Sequence, residues 1–428
     1  MQLDHWANYV RPIGLFLLAI LLFIAAQGTG IGLFFHLSYL LIGIVVVSYG
    51  WAWLNLRGLS VQRETFTHRT QVGEQARERV TIRNRWPLPK LWVEVLDHSD
   101  LPQHGAGFVA SLPAGERRRW IVRTPCTIRG KFRLGPVTLV SGDPFGLFRL
   151  QRMIPGFDEV LVYPRTIPLP GFSLPSAELP GGQNLKARTH YVTPNVATIR
   201  EYMPGDSFNR IHWRSTARIG KLMVKEFELD PTAEIYVVLD MFERAQHYLR
   251  QAGATQVARE QRSAESTEEY AVQAAASIAR HLLAQNRAVG LIAWGQQREV
   301  IPAEREIRQL YKILEALAEL RAQGATPLAE VLGAESARFG RNCTLVLITP
   351  SLDERWVTSV QHLLYRGVRI VAVLIDARSF GGTRGGEVLH MRLAELRVPT
   401  YTYGRGQSLA EVLTHPAVLA PGPPLRSV

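Results

Sequence analysis

The sequence predicts a multidomain chain in which a two-helix transmembrane hairpin precedes a β-sandwich and then an α/β domain. Three observations carry this. Apolar residues crowd the stretch up to Leu54, where almost no charge follows Arg11. Short runs alternating apolar with polar side chains fill Leu59 to Leu150, the period of half-buried strands. From Glu234 onward, continuous β-branched apolar runs alternate with amphipathic stretches, the pattern of a parallel sheet with helices between its strands. At 428 residues the chain is well beyond one core of typical size.

The hairpin takes residues 1–56, with spans at about 10–29 and 31–54 split by Gln27-Gly28-Thr29-Gly30. The second comfortably exceeds the ~20 residues that cross hydrocarbon, and the first reaches that length when counted from Val10 to Thr29. No cationic segment precedes a short core with a small-residue cleavage site, so a removed signal peptide is not the reading. Arg11 stands before the first span and Arg57, Arg63 and Arg69 follow the second, while the intervening loop has no Lys or Arg. The positive-inside rule then puts both termini and all soluble domains in the cytoplasm, at the plasma (inner) membrane. Tyr49, Trp51 and Trp53 fit an aromatic belt at that interface. Only two cysteines, Cys126 and Cys343, occur, in keeping with a reducing compartment and with small buried hydrophobes.

A net charge of +12 arises from 49 basic against 37 acidic side chains. Basic residues near a membrane are drawn to anionic headgroups. Nucleic acid is not expected as a partner, because the basic residues are scattered and no zinc-finger, RNA-recognition or homeodomain spacing occurs.

Residues 57–154 read as the sandwich, with runs such as Arg79 to Asn84, Leu91 to Leu96, Arg119 to Arg123 and Pro136 to Val140. Six or seven strands in about ninety residues match the size of an immunoglobulin-like sandwich, without the Cys-Trp-Cys spacing of antibody domains. Residues 155–199 are rich in Pro and Gly and read as a connecting segment. The tail, 406–428, ends in a Pro-rich stretch.

The densest information lies in residues 200–228, REYMPGDSFNRIHWRSTARIGKLMVKEFE. Met203 to Asp206 reads as a tight turn, with Pro204 presetting φ and Gly205 supplying a positive φ. Asp206 or Ser207 then caps a helix that places Arg210, Arg214 and Arg218 on one face and Phe208, Ile211, Ser215 and Ile219 on a packing face. Gly220 stops it, and Leu222 to Phe227 reads as a strand carrying Lys225 and Glu226. Trp213 reads as a core or domain-interface aromatic. The arginines either bind an acidic or phosphate-bearing partner or are neutralised by Glu201, Asp206, Glu226 and Glu228.

This stretch resembles the signature of the bacterial and archaeal family called domain of unknown function 58, whose pattern has the form REYxPGDxxRxIxWRxSARxxxLxVKEFE. The positions that match include Arg200, Glu201, Tyr202, Gly205, Asp206, Trp213, Arg214, Arg218, Lys225 and Glu226; Ser215-Thr216-Ala217 is the visible departure. Arg129 to Pro136 (RGKFRLGP) and Asp143 to Phe148 (DPFGLF) look like other recurrent phrases of that family. The resemblance runs from about Arg57 to Asp376. It implies a von Willebrand factor A-like domain, and it suggests a MoxR-type AAA+ ATPase as partner, since relatives are commonly linked with such proteins.

In residues 229–405 the strand runs are Ile235 to Asp240, Val289 to Trp294, Thr344 to Thr349, Arg369 to Asp376 and Thr400 to Tyr403. Helical stretches lie at Glu268 to Gln285, Glu304 to Arg321 and Glu354 to Tyr365. Their order looks like a von Willebrand factor A-like domain. Ligands of such α/β sheets bind at the carboxyl ends of the strands, where Asp240 ends the first. A-like domains hold Mg2+ there with a D-x-S-x-S loop, a later Thr and a further Asp, all hard oxygen donors. Here Asp240 is followed by Met-Phe-Glu-Arg, Thr326 suits the threonine loop, and Pro350 stands where the last Asp is expected. Either a cation binds Asp240 and Thr326, or Asp240 hydrogen-bonds a neighbouring loop and Thr326 caps the helix beginning at Pro327.

No P-loop, G-x-S-x-G or H-E-x-x-H motif is present. His190 and His212 have no identifiable nucleophile to serve. The expectation is a non-catalytic membrane-anchored scaffold or adaptor that binds a partner protein, with no cofactor other than Mg2+ to consider. The alternative is a cryptic enzyme acting on cell-envelope substrates through carboxylates such as Glu201, Asp206 and Asp240.

Overall fold

A computed structural model describes residues 3–105, 107–174, 196–202, 211–227, 234–248, 265–341, 343–382 and 386–414. The chain forms two compact units, one built largely on residues 1–165 and the other largely on 166–428.

The first unit opens with helices α1 (Leu3–Thr29) and α2 (Gly32–Leu56), joined through Gly30 at φ 69°. A left-handed residue there suits glycine. Between the helices the buried residues are small: Ala19, Ala26, Ser38 and Ser48, and the Ser38 hydroxyl donates to the Ala19 carbonyl at 3.0 Å. Phe, Leu, Ile and Val side chains face outward instead. Small residues at such a contact let two helix backbones approach closely. Val10–Thr29 and Gly32–Leu56 are both long and apolar enough to span a membrane.

Ten strands follow: β1 (Leu59–Thr65), β2 (Arg69–Gln71), β3 (Gln75–Asn84), β4 (Lys90–Asp97), β5 (Phe108–Leu112), β6 (Arg117–Pro125), β7 (Gly130–Leu134), β8 (Val137–Gly142), β9 (Arg149–Ile154) and β10 (Asp158–Tyr163). They form three sheets, β1-β3-β6, β5-β4-β8-β9 and β2-β10-β7. On β3 every second residue is buried from Ala76 to Asn84, so the predicted alternation does place one face on the core. Ile82, Val93, Val95, Ala110, Leu112 and Leu139 fill one core, and Ala76, Leu101, Cys126, Leu134, Val160 and Val162 a smaller one. The β region thus has more strands than the six or seven expected. It also runs past Ile154, because β10, inside the stretch read as connecting segment, pairs antiparallel with β7 and parallel with β2.

The second unit begins with the hairpin β11 (Val196–Glu201) and β12 (Met223–Phe227), between which lies helix α3 (Trp213–Ile219). The rest is an α/β array: β13 (Glu234–Leu239), α4 (Thr267–Ala284), β14 (Val289–Trp294), β15 (Arg298–Glu304), α5 (Ile307–Glu319), α6 (Leu328–Glu335), β16 (Cys343–Thr349), α7 (Arg355–Tyr365), β17 (Arg369–Ile375), α8 (Glu387–Glu395), β18 (Thr400–Tyr403) and α9 (Leu409–Val412). The sheet order is β15-β14-β13-β16-β17-β18. All neighbours are parallel except β15, which pairs antiparallel with β14. Every residue of β16 is buried, as a strand covered on both faces requires. Both cysteines are free and buried, and burial pushes the Cys343 thiol up to about 12.

Candidate functional site

The strand order reverses at β13, whose partners β14 and β16 lead away in opposite directions. A crevice opens at such a reversal, beyond the carboxyl ends of the strands. Asp240, directly after β13, sits there with only 3% of its surface exposed. Its carboxylate accepts the Thr349 hydroxyl at 2.6 Å and the Phe242 N–H at 3.1 Å. The Thr349 oxygen in turn accepts the Ser351 N–H at 2.9 Å, and the Gln246 amide donates to the Asp240 carbonyl at 3.0 Å. Burial raises the Asp240 carboxyl from 3.8 to about 6, against the smaller lowering effect of the bonds from Thr349 and Phe242.

A loop pairing draws the Thr326 segment to the same rim: Gly324 N–H donates to the Met241 carbonyl and Glu243 N–H to the Gly324 carbonyl. A Cβ on Gly324 would collide with the Trp294 carbonyl and stand 2.9 Å from that of Met241, so only glycine allows the approach. Outside Asp240 lies a crevice of about 290 Å³ bounded by Phe242, Arg244, His247, Ser351 and Asp353. Hydrogen bonding to Arg355 holds the Asp353 carboxyl below the usual range.

These residues fit a hydrogen-bonded pin better than a Mg2+ site. Both oxygens of Asp240 accept hydrogen bonds within the protein, and Arg244 and Pro350 occupy positions where oxygen donors would be needed. Thr326 does not cap α6 as expected; the N-cap position is Pro327, with no side-chain cap bond, because the helix starts one residue later.

The signature segment departs from expectation in two ways. First, α3 begins at Trp213, since Ile211 is held in a bridge to Val224. The cap is the His212 ring, whose Nδ1 accepts the Ser215 N–H at 3.2 Å. Gly220 closes the helix in the left-handed region, as predicted, and the Met223 N–H donates to the Thr216 hydroxyl at 3.0 Å, tying α3 to β12. Second, Trp213 is not a core aromatic: it is 67% exposed. Arg214 and Arg218 are exposed and form no ion pair with a described residue, while Glu201 pairs with Lys221 at 3.0 Å; Asp206 and Glu228, two of the acids read as neutralising the arginines, lie outside the described residues. Arg200 and Glu201 lie on β11 opposite Val224 and Met223, and Lys225 and Glu226 lie on β12 opposite Ile199 and Thr198. The Tyr202 N–H continues the ladder to Leu222. Gly205, Asp206 and Arg210 lie outside the described residues, so the carboxylate trio of the enzyme alternative is represented only by an exposed, ion-paired Glu201 and a sealed Asp240.

Sequence reading missed a buried charge cluster in the β region. Arg63 on β1 binds Asp97 and lies 3.4 Å from Glu78. His104 Nε2 is 3.0 Å from Asp97 and 3.2 Å from Glu78, and its Nδ1 is 2.9 Å from the Thr124 hydroxyl. Glu78, Asp97 and His104 have the donor types of a metal site, yet the guanidinium already supplies the countercharge. Burial raises Glu78. At Asp97 burial is outweighed by hydrogen bonds from His104 and Ser99 and by the Arg63 charge, which hold it below the usual range.

Fold and site define a class: two N-terminal apolar helices, a multi-strand β region, and an α/β unit with a mainly parallel sheet. Within it, residues 198–379 match the family described as "Protein of unknown function DUF58". The chain is 24% identical over 335 residues to "Uncharacterized protein YeaD" of Bacillus subtilis (strain 168), covering 75% of this chain and 76% of that one. Among solved structures, the CARDB domain of the PF1109 protein from Pyrococcus furiosus aligns at 15% identity over 24% of this chain and 91% of that one, with a TM-score of 0.19. A beta-glucosidase from Listeria innocua aligns at 15% identity over 24% of this chain and 16% of its own, with a TM-score of 0.18. Likenesses at these scores carry no argument about fold or function.

Proposed function

We propose that the protein is a membrane-anchored scaffold or adaptor, with its soluble regions in the cytoplasm, that binds a partner protein through helix α3. The observation that carries this reading is the bareness of that helix. None of its residues is buried; Trp213 and Ile219 are 67% and 57% exposed, and Arg214 and Arg218 stand beside them without described counterions. Exposed tryptophan and arginine are the residue types that dominate binding hot spots.

The sheet order and the place of Asp240 support reading the α/β unit as von Willebrand factor A-like with a cation site that has become a hydrogen-bonded pin; the alternating strands of residues 59–154 support an immunoglobulin-like sandwich. The resemblance of the signature supports a MoxR-type AAA+ ATPase as the partner. Magnesium has no part in this reading, so a Mg2+ titration followed by thermal melting leaves the midpoint unchanged.

The test is a photo-crosslinking residue placed at Ala217 in the full-length protein in native membranes, with exposed Ile121 on β6 as the control position. The expected outcome is a crosslink to the MoxR-type ATPase from position 217 and none from 121. A crosslink from neither position, with the ATPase present, contradicts the reading.

A further inference from the structure

A second cavity, of about 750 Å³, lies in the first unit where the beginning of α1 and the end of α2 meet the β region. Its size is that of a small-molecule site. Arg11, Trp51, Trp92, Glu94, Asp143 and Arg149 stand in its walls. The DPFGLF phrase forms one wall. Asp143 folds it by accepting the N–H groups of Phe145 at 2.8 Å and Phe148 at 2.5 Å. Gly146, at φ 69°, turns its carbonyl to Arg11, which donates at 3.2 Å. Phe148 meets Tyr49 of α2 edge-on at 5.5 Å.

The opposite wall is a built irregularity. The β4–β5 register shifts between Lys90 and Val93, leaving Leu91 and Trp92 as a bulge. Trp92 has φ 55° and is 73% exposed. Buried Asn55 at the end of α2 holds the bulge in place: its amide donates to the Leu91 carbonyl and to the Ser141 hydroxyl at 2.7 Å, and its oxygen accepts the Leu91 N–H at 3.0 Å. The buried Lys90 ammonium donates to the Leu54 carbonyl. A bulky residue in the left-handed region costs energy, and this one returns no packing. Bulges re-aim side chains where a ligand is met.

The charges of the cleft balance, with two guanidiniums against two carboxylates. Arg149 pairs with Glu94 at 2.6 Å, whereas Arg11 has no described carboxylate partner. Guanidinium forks onto phosphate; carboxylates and tryptophan faces take an ammonium. We propose that this cleft binds the headgroup of a zwitterionic membrane phospholipid, its phosphodiester at Arg11 and Arg149 and its ammonium toward Glu94 and the Trp51 and Trp92 rings. The inference rests on the membrane anchoring of α1 and α2, which puts the cleft at the level where headgroups lie.

The test uses the full-length protein, delipidated in detergent and melted with short-chain phosphatidylethanolamine, short-chain phosphatidylglycerol or inorganic phosphate. Phosphatidylethanolamine raises the midpoint, phosphatidylglycerol does so only at about tenfold higher concentration, and phosphate does not. Arg11→Gln weakens the response about tenfold and Arg11→Lys recovers part of it. Trp92→Ala, at an exposed side chain that leaves the fold intact, weakens it about threefold. Equal responses from the parent, Arg11→Gln and Trp92→Ala proteins, or a tighter response to phosphatidylglycerol, overturn the proposal. Alkaline extraction of membranes tests the anchor separately: release of the protein overturns anchoring, while retention without an Arg11-dependent lipid response overturns the cleft alone.

Discussion

The β region and the α/β unit treat buried acids in opposite ways. Glu78 and Asp97 share their pocket with Arg63 and His104, so charge is compensated inside the protein. Among the described residues, Asp240 has a hydroxyl and an amide for company and no positively charged partner. At Asp97 burial is outweighed by hydrogen bonds from His104 and Ser99 and by the Arg63 charge, whereas at Glu78 burial prevails over the same guanidinium and raises the carboxyl; Asp240, with dipoles alone, is raised to about 6. The first arrangement makes a structural fastening. The second leaves a titrating group at the point where ligands of α/β sheets gather.

The largest effect that would break this comparison comes from Arg63→Leu, which leaves two buried carboxylates facing one imidazole. Denaturant melts followed by tryptophan fluorescence are expected to show a loss of about 3–5 kcal/mol; a loss below about 1 kcal/mol would mean the cluster is not charge-compensated through Arg63. Next comes Asp240. Folding raises its pKa, so the folded state binds more protons than the unfolded state between pH ~4 and ~6, and stability falls as pH rises through that window, by about 3 kcal/mol in total. Asp240→Asn removes this slope, and the difference between parent and variant stability measured from pH 4 to 7 isolates it from other carboxylates. A flat difference would place the Asp240 pKa at its ordinary value. Gly324→Ala, whose Cβ meets the Trp294 and Met241 carbonyls, costs about 1–3 kcal/mol and loosens the loop behind Asp240, seen as faster amide exchange at Phe242 and Glu243. Smallest in stability is Trp213→Ala, within about 0.5 kcal/mol because the ring is exposed.

How much of this was legible in the sequence follows the physics of each element. The inner strands β13, β14, β16 and β17 are continuous apolar runs because both faces are covered, and they were read almost to the residue. The edge strand β15, REVIPAE, has a proline and a wet face, so it carried no such signal. Strand β10 hid among prolines and glycines, although DEVLVY is itself a fair strand; its pairing with β7 and β2 is long-range and invisible locally. The start of α3 was misplaced because an imidazole served as the cap, a role ordinarily held by Ser, Thr, Asp or Asn. Of the two places the sequence allows Trp213, core or domain interface, its exposure excludes the first. The Arg63–Glu78–Asp97–His104 cluster draws on two strands, a strand end and a loop, and Asn55 meets Leu91 across the fold, so neither shows locally. Asp240 was found because its place at the end of the first strand of the α/β sheet is a rule of topology rather than of composition.

The most direct measurement of the scaffold reading is the affinity of the full-length detergent-solubilised protein for a purified MoxR-type ATPase, by isothermal titration, for the parent chain and for Trp213→Ala combined with Arg214→Ala. The account predicts at least about a tenfold loss of affinity with an unchanged melting midpoint. Undiminished binding by a folded double variant would contradict it.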